Sequence, residues 1–241
     1  MIPDWLERTE MLLGDEGLKK LQSSRILVVG LGGVGAFAAE MLCRAGVGSM
    51  TIVDGDKIHP SNRNRQLLAL KSTEGSFKAD LTGSRLSDIN PDVKITIIRE
   101  YIRDNRMIMV LDEGFDYVVD AIDTLSPKAF LIWHSLLRKY PVVSSMGSGG
   151  KFDPMKINIT DISETTDCYL ARILRKKLHK LGVRDGFTAV WSHETIDKTK
   201  ILPLSGEQNK ASVVGTISYM PAAFGIACAS VVIRDLAGIL R

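Results

Sequence analysis

A glycine-rich turn between an apolar run and a helical segment constrains the fold of this chain more than any other feature. Residues 25–30 form a β-branched run that ends in glycine, and the turn reads Gly30-Leu31-Gly32-Gly33-Val34-Gly35. Apolar side chains then recur at helical spacing as far as Ala45, which predicts a strand, a tight turn and a helix. Glycine lets the backbone approach a phosphate, and the start of the helix supplies unpaired N–H donors. The sequence therefore predicts a nucleotide site at this turn.

Strands and helices alternate along the first 150 residues. The predicted strands cover residues 25–29, 49–54, 94–99, 117–122 and 141–145, and the predicted helices cover residues 33–45, 77–89 and 125–140. Alternation with helices of this length is typical of parallel βαβ units. We therefore expect an α/β fold with a Rossmann-like, doubly wound, mostly parallel sheet and helices on both faces. Its binding crevice would lie at the carboxyl ends of the strands.

The chain divides into three predicted segments. Residues 1–24 would form an N-terminal helical segment, residues 25–150 the nucleotide-binding core, and residues 151–241 a C-terminal extension of the same domain. Within the extension we expect strands over residues 156–161 and 187–192, a basic helix over 168–181, a mobile polar loop over 194–215 and a last helix over 222–240.

The composition excludes several classes of protein. Of the 241 residues 45% are hydrophobic and 24% charged, which fits a globular domain rather than a disordered or fibrous chain. The longest apolar stretch, residues 219–233, is interrupted by Pro221 and Gly225 and is shorter than the roughly 20 residues of a membrane span. The N-terminus lacks the pattern of a secretory signal. We expect a cytoplasmic protein without a membrane segment.

The three cysteines, Cys43, Cys168 and Cys228, lie far apart, and no Cys-x-x-Cys pair occurs. The sequence therefore predicts neither a disulfide framework nor a structural zinc site. Cys43 and Cys228 stand in apolar helical surroundings and are expected to be buried thiols. Cys168 is expected to be more exposed.

The glycine turn alone leaves the kind of nucleotide open. Gly30, Gly32 and Gly35 satisfy the dinucleotide fingerprint, and Asp54 stands at the end of the second strand, where a ribose-binding acid would lie. On this segment alone an NAD-dependent enzyme is the favoured interpretation.

The residues that follow change this interpretation. The stretch Asp54-Gly55-Asp56-x-x-x-x-x-Ser61-Asn62-Arg63-Asn64-Arg65-Gln66 is followed by Lys78 and by Asp120-Ala121-Ile122-Asp123. Cations that converge on a nucleotide suit a triphosphate, and a nearby carboxylate can hold magnesium on the same phosphates. The pattern therefore favours an adenylating site. Asp120 and Asp123 could instead end a strand and cap a helix, an alternative that stays open for Asp120 in particular.

Five segments together carry a resemblance to a known family: Arg8-Thr9-Glu10-x-Leu12-Leu13-Gly14, Asn62-Arg63-Asn64-Arg65-Gln66, Val119-Asp120-Ala121-Ile122-Asp123, Gly147-Ser148-Gly149-Gly150-Lys151-x-Asp153-Pro154 and Val190-Trp191-Ser192-x-Glu194. From about residue 8 to residue 239 the chain resembles the adenylation domain shared by ubiquitin-activating enzymes and the bacterial activators of sulfur-carrier proteins. More narrowly, it is similar to the tRNA threonylcarbamoyladenosine dehydratases.

The resemblance implies a role for each matching residue. Asp123 would hold Mg²⁺, and Arg8 would reach across a homodimer interface into the ATP site of the partner. The glycines of the turn would cradle phosphate, namely Gly30, Gly32, Gly33 and Gly35. Asp54 would bind the ATP ribose, and the triphosphate would be contacted by Asn62, Arg65 and Lys78.

The resemblance also implies an activity: ATP-dependent cyclisation of threonylcarbamoyladenosine in tRNA, through an acyl-adenylate, with loss of water. ATP and Mg²⁺ would be the cofactors, with a monovalent cation as a further candidate. The implied partners are tRNA, a second copy of the chain, and a cysteine desulfurase with its sulfur acceptor. Neither the Cys-x-x-Cys zinc pairs of sulfur-carrier activators nor the added cysteine domain of ubiquitin-type activators is present, which disfavours a thioester route.

The C-terminal extension carries 13 basic and 9 acidic residues. One face of its basic helix presents Arg172, Arg175, Lys176 and Lys180. A charge-rich face is usually only solvated, but with the resemblance this face becomes a candidate for binding tRNA phosphates.

Two further functions compete with the dehydratase. One is an adenylyltransferase that activates the C-terminal glycine of a ubiquitin-like or sulfur-carrier protein, which would use the same ATP-site residues. The other is a nucleotide-binding regulatory or scaffold protein that has kept the fold without turnover.

Overall fold

The structure, a computed structural model, describes residues 2–197, 199, 201–203 and 212–239. Its helices are α1 (Glu7–Ser23), α2 (Gly35–Arg44), α3 (Lys78–Ile89), α4 (Asp104–Leu111), α5 (Leu125–Leu137), α6 (Tyr169–Lys180) and α7 (Tyr219–Ala237). Its strands are β1 (Arg25–Val29), β2 (Ser49–Val53), β3 (Lys94–Ile98), β4 (Tyr117–Asp120), β5 (Val142–Ser145), β6 (Ile157–Asp161), β7 (Thr188–Ser192), β8 (Ile201–Pro203) and β9 (Ser212–Val214).

Seven of these strands form one sheet in the order β3-β2-β1-β4-β5-β7-β6. All neighbouring pairs are parallel except β6, which runs antiparallel to β7 at the edge. The order reverses on the two sides of β1, and such a switch point is where a doubly wound sheet opens a crevice for ligands. The predicted fold class is confirmed, and β6 and β7 of the C-terminal extension belong to the same sheet as the core strands.

Successive side chains of a strand point to opposite faces of the sheet, and in this protein both faces are buried. On β1, Ile26 and Val28 pack into the core beneath α2 and α7, whereas Leu27 and Val29 pack into the core beneath α4, α5 and α6. This explains why the central strands are continuous apolar runs without polar alternation.

The N-terminal segment is helical as predicted, but α1 is broken at Gly14, whose φ of 73° is left-handed. Leu6, just before α1, and Leu18 within it both pack against Gly46, which precedes β2. The first turns of α1 therefore lie at the amino-terminal edge of the sheet, opposite the glycine turn.

The last helix begins three residues earlier than predicted, at Tyr219. Among the described residues, α7 is the one helix whose length and composition would suit a membrane span, and 44% of its apolar window is buried in the fold. Phe224, Cys228 and Val231 are fully buried, and α7 packs on α1, α2 and the sheet. Its apolar character is therefore that of a core helix.

Three expectations need correction. Helix α4 is absent from the predicted elements, and it begins at Asp104 with a left-handed φ of 46°. Cys168 is buried, at 7% exposure, because it packs into the core beneath α6. Within the predicted loop over residues 194–215, β8 and β9 form an antiparallel pair; residues 198, 200 and 204–211 of that prediction lie outside the described residues.

Candidate active site

The turn between β1 and α2 requires glycine for two close backbone contacts. A Cβ at Gly30, whose φ is +90°, would lie 2.7 Å from the carbonyl oxygen of Ala121, which follows β4. A Cβ at Gly35 would lie 1.7 Å from the carbonyl oxygen of Gly30. Neither clash can be relieved by a side-chain rotation, because both involve backbone atoms. These two glycines therefore fit the turn tightly to the carboxyl end of β4.

The other two predicted glycines of the turn differ from each other. A Cβ at Gly33 would lie 2.8 Å from the Pro221 side chain, so this position packs against α7. Gly32 faces open space, and the nearest atom to its Cβ position is Nε2 of Gln66, at 3.7 Å. Oε1 of Gln66 is buried and has no hydrogen-bond partner in the described part of the chain. The turn therefore packs against α7 at Gly33, whereas at Gly32 the Gln66 side chain is the nearest neighbour.

Asp54 lies where β2 ends, and it shapes the glycine turn. Its two carboxylate oxygens accept the backbone N–H of Leu31 at 2.6 Å and of Asp56 at 2.7 Å. The side chain is almost buried, and burial raises the pKa of the Asp54 carboxyl above its ordinary value. The nearby charge of Lys78 and the two backbone hydrogen bonds oppose this effect. Asp54 thus ties the carboxyl end of β2 to the glycine turn at Leu31.

Lys78 is the first residue of α3 and is 5% exposed. Its ammonium donates to Oδ2 of Asp56 at 2.7 Å, and the hydroxyl of Tyr101 donates to Oδ1 of the same carboxylate. That hydrogen bond raises the pKa of Tyr101 well above its usual range. Asp56 and Tyr101 were not among the predicted site residues. The signal for Asp56 was its place in the stretch that begins at Asp54; Tyr101 lies beyond any motif.

The two aspartates after β4 have different environments. Asp120 is fully buried, and its carboxylate accepts hydrogen bonds from Lys128 and Ser144, each at 2.6 Å, and from the backbone N–H of Ile122 at 3.1 Å. These contacts favour the structural interpretation of Asp120. Asp123 is exposed and lies two residues before α5 begins at Leu125. Lys128, which forms an ion pair with Asp120, was not indicated by any of the sequence motifs.

Arg65 and Asn62 occupy the loop that follows β2. The Arg65 guanidinium donates to the carbonyl of Ser61 at 2.9 Å and to Oδ1 of Asn64 at 2.8 Å. Burial lowers the pKa of Arg65, and the charge of Asp123 opposes that shift, so these two predicted residues interact electrostatically. Asn62 accepts the backbone N–H of His59 at 3.0 Å. Its side chain therefore holds the loop that carries Arg65.

Two predicted groups are not brought to this cluster within one chain. Arg8 is exposed on α1, two residues after Leu6, at the opposite edge of the sheet. The basic helix α6 packs beside α5, with Lys177 donating to Ser126 at 2.6 Å. Its predicted cations differ: Arg172, Lys176 and Lys180 are exposed, whereas Arg175 is half-buried and donates to the backbone carbonyl of Thr165 at 2.7 Å.

The loops after β5 and β7 hold each other through Lys151 and Glu194. Lys151 is 2% exposed, and its ammonium donates to the carbonyl oxygens of Ser192, at 3.1 Å, and Glu194. In return the Glu194 carboxylate accepts the backbone N–H groups of Phe152 and Asp153 at 3.1 to 3.3 Å. Burial lowers the pKa of Lys151. Both residues belong to segments that carried the resemblance, but neither was a predicted site residue.

The carboxyl edge of the sheet therefore brings together an open glycine backbone, two cations (Arg65 and Lys78) and the carboxylates of Asp54, Asp56 and Asp123. The described residues contain no group of three or more His, Cys, Asp or Glu side chains that could hold a metal ion by themselves. The arrangement suits charge neutralisation on a polyphosphate.

Comparison with known proteins gives consistent matches. The ThiF family model matches residues 6–240. The tRNA threonylcarbamoyladenosine dehydratase of Bacillus subtilis is 42% identical over 188 residues, which are 78% of this chain and 74% of that protein. The molybdopterin-synthase adenylyltransferase of Salmonella typhimurium is 32% identical over 154 residues, 64% of this chain and 60% of that protein.

Among solved structures, the tRNA N6-threonylcarbamoyladenosine dehydratase of Escherichia coli in complex with ATP matches with a TM-score of 0.90 and 31% identity, over 99% of this chain and 97% of that one. Family model, sequence and fold thus agree over nearly the whole chain. The chain belongs to the ThiF family, in the branch of the tRNA threonylcarbamoyladenosine dehydratases.

Proposed function

We propose that this protein is an ATP-dependent dehydratase that cyclises threonylcarbamoyladenosine in tRNA. The threonyl carboxylate attacks the α-phosphate of ATP, which gives an acyl-adenylate and releases pyrophosphate. A ureido nitrogen then attacks the activated carbonyl and loses its proton, the C–O bond to AMP breaks, and a hydantoin ring closes. The oxygen of the lost water leaves with AMP.

The observation that carries the proposal is the position of Arg65, Lys78 and Asp123 at the edge of the sheet where Gly32 leaves the turn open. Phosphates would lie over Gly32 at the start of α2, where unpaired N–H groups point outward. Asp54 would take the ribose. A cleft of about 160 Å³ between the beginnings of α4 and α5, lined by Arg103, Met107 and Pro127 among others, would take the adenine.

Lys78 would exchange the Asp56 carboxylate for a phosphate when ATP binds. Both are anionic oxygen acceptors, so the ammonium remains paired throughout. Arg65 would stabilise the charge that builds up as pyrophosphate leaves. Asp123 would hold Mg²⁺, and the ion, when bound, would neutralise charge on the phosphates.

The second step needs no enzyme thiol. Nucleophile and activated carbonyl belong to one substituent, and effective molarities of well-oriented intramolecular reactions reach about 10⁵–10⁸ M. The cysteines of this chain support such a route because Cys43, Cys168 and Cys228 are all buried. Burial raises the pKa of Cys43 to about 11 and that of Cys228 to about 12, so both stay protonated near neutral pH.

We also propose that the protein acts as a homodimer in which Arg8 enters the ATP site of the partner. Helices α1 and α7 pack together and expose apolar side chains, Met11 at 80%, Leu12 at 83% and Ile226 at 50%. Neighbouring apolar side chains that are exposed, such as Met11 and Leu12 on α1, are typical of a protein interface. Arg8 lies on the same helix as Met11 and Leu12.

The monovalent cation and the cysteine desulfurase with its sulfur acceptor rest on the resemblance alone. The cytoplasmic location and the division into residues 1–24, 25–150 and 151–241 rest on the sequence pattern. Each stays a prediction.

The deciding experiment incubates the purified protein with ATP, Mg²⁺ and tRNA that carries threonylcarbamoyladenosine, followed by digestion to nucleosides and mass spectrometry. We expect the nucleoside to lose one water only when ATP is present. Pyrophosphate exchange that depends on a carrier protein and not on tRNA would instead identify an adenylyltransferase. Exchange with neither would identify a scaffold protein.

A further inference from the structure

Phe152 is an exposed aromatic residue on a loop that is held in place from several directions. Its side chain is 61% exposed. Its backbone N–H donates to the Glu194 carboxylate at 3.1 Å, and its carbonyl oxygen accepts the Tyr219 hydroxyl at 2.9 Å. The preceding residue, Lys151, is buried and donates to the carbonyls of Ser192 and Glu194. The ring therefore stands in solvent on a backbone that hydrogen bonds fix on both sides.

The same loop is joined to the ATP side of the site. The backbone N–H of Gly150 donates to the carbonyl of Gly215 at 2.8 Å, and the Asn64 amide donates to the carbonyl of Thr216 at 2.9 Å. Asn64 is the chain neighbour of Arg65 and accepts its hydrogen bond. The segment around residue 215 thus bridges the loop of Arg65 and the loop of Phe152, so the two loops have a fixed relationship.

The strand order of the sheet indicates which substrate, ATP or tRNA, would lie beside the loop that carries Phe152. The proposed ATP position uses the carboxyl ends of β2, β1 and β4, together with the starts of α4 and α5. The acyl substrate must approach the α-phosphate from the remaining side, over β5 and β7, which are next in the sheet. Phe152 follows β5, and its partner Glu194 follows β7, so this aromatic ring stands on the substrate side.

We propose that Phe152 binds an unpaired base of the tRNA substrate by stacking, and that Lys151 and Glu194 are positioning residues that hold its loop. The inference rests on the proposed dehydratase function. Proteins commonly recognise unpaired RNA bases by stacking them on aromatic side chains. A ring whose backbone is already fixed loses little conformational freedom on binding, which favours affinity.

The test compares Phe152→Ala, Phe152→Leu and Phe152→Tyr with the wild-type protein in the water-loss assay. Phe152→Ala should raise KM for modified tRNA about tenfold, as expected for the removal of one stacking interaction, and leave KM for ATP unchanged. Phe152→Tyr should keep the wild-type value, and Phe152→Leu should resemble alanine. Met155→Ala is the matched control, because Met155 is 89% exposed three residues further on.

Lys151→Met and Glu194→Gln should raise KM for tRNA while ATP affinity stays the same, and Lys151→Arg should restore part of the loss. A purely structural role would lower stability and affect both substrates equally. An unchanged KM for tRNA in Phe152→Ala would overturn the inference while the wild-type water loss still supports the dehydratase. A change of oligomeric state in Phe152→Ala would also overturn it, because the ring would then contact a second copy. Absence of water loss in the wild type would remove the proposed function itself.

Discussion

The ammonium of Lys128 and the carboxylate of Asp120 form an ion pair of 2.6 Å in which both side chains are fully buried. The pair joins α5 to the end of β4, and Asp120 also accepts the backbone N–H of Ile122. The pair therefore fixes the turn that leads to Asp123. The same turn contains Ala121, and Gly30 packs against the Ala121 carbonyl. One buried pair thus supports both the glycine turn and the carboxylate proposed to hold magnesium.

Lys128→Met should lower the free energy of unfolding by about 3–5 kcal/mol, because it leaves the Asp120 charge buried without its partner. Urea denaturation followed by circular dichroism measures the loss. Lys19→Met is the matched control, since Lys19 pairs with Asp15 at the same 2.6 Å on the surface, where ion pairs contribute little. Equal losses in the two variants would contradict the structural role of the buried pair.

Arg65→Ala should reduce ATP–pyrophosphate exchange about a hundredfold or more, the usual effect of removing one group that stabilises charge in the transition state. Its free energy of unfolding should change little, because the hydrogen bonds that the guanidinium makes among the described residues stay within its own loop. Arg63→Ala, two residues away, removes an exposed guanidinium that pairs with Glu74 and should keep full exchange. Near-normal exchange by Arg65→Ala would remove Arg65 from the ATP site.

Much of the fold could be predicted because its signals are local. The apolar runs of β1 and β4 and the glycine turn after β1 depend on neighbours in sequence. Helix α4 was missed because it has only eight residues and begins from an unusual left-handed aspartate. Its existence depends on packing between β3 and β4 that no short window contains.

The roles of individual charges were harder to predict, because they depend on contacts between distant segments. Arg175 was predicted to be exposed with the other cations of α6. It lies four residues after Ala171 and three before Leu178, both of which are buried, and it donates to Thr165. Lys128 likewise shares a helical face with Ile132 and Ser135, which are buried. Helical spacing could have flagged both as inward-facing, but their partners are visible only in the folded chain.

The pH dependence of stability should contain a contribution from His134. Burial, followed by the positive charge of Arg138, lowers the pKa of His134 from its ordinary 6.5. The fold therefore favours the neutral ring, so the contribution to stability is present above pH 6.5 and is lost as pH falls through the lower folded-state value. Stability should decrease more steeply between pH 7 and about pH 5 in the wild type than in His134→Gln.

Urea unfolding at several pH values measures this difference. His179→Gln, which alters an exposed histidine on α6, is the control and should keep the wild-type slope. A slope unchanged by His134→Gln would show that other groups cause the loss of stability in acid.

Replacing Arg172, Lys176 and Lys180 together by Gln should weaken tRNA binding. The slope of log Kd against the logarithm of the salt concentration should fall by up to about three, one for each phosphate that the variant no longer neutralises. ATP binding should not change. Arg175→Gln should behave differently and lower stability, because this guanidinium donates to backbone carbonyls at residues 162 and 165. Fluorescence anisotropy with labelled tRNA at several salt concentrations measures the slope. An unchanged slope in the triple variant would exclude α6 from the RNA interface.

Mixing two inactive variants tests whether Arg8 acts across the dimer. Arg8→Ala and Asp123→Ala should each lose the dehydration activity. In a mixed dimer, the site that keeps Asp123 receives Arg8 from the other subunit, so random exchange should restore about a quarter of the wild-type activity. If Arg8 instead acts within its own chain, no dimer contains an intact site, and the activity stays at the level of the single variants. Arg8→Lys mixed with Asp123→Ala controls for charge alone. Because Arg8 lies at the edge of the sheet opposite the glycine turn of its own chain, restored activity is the expected result.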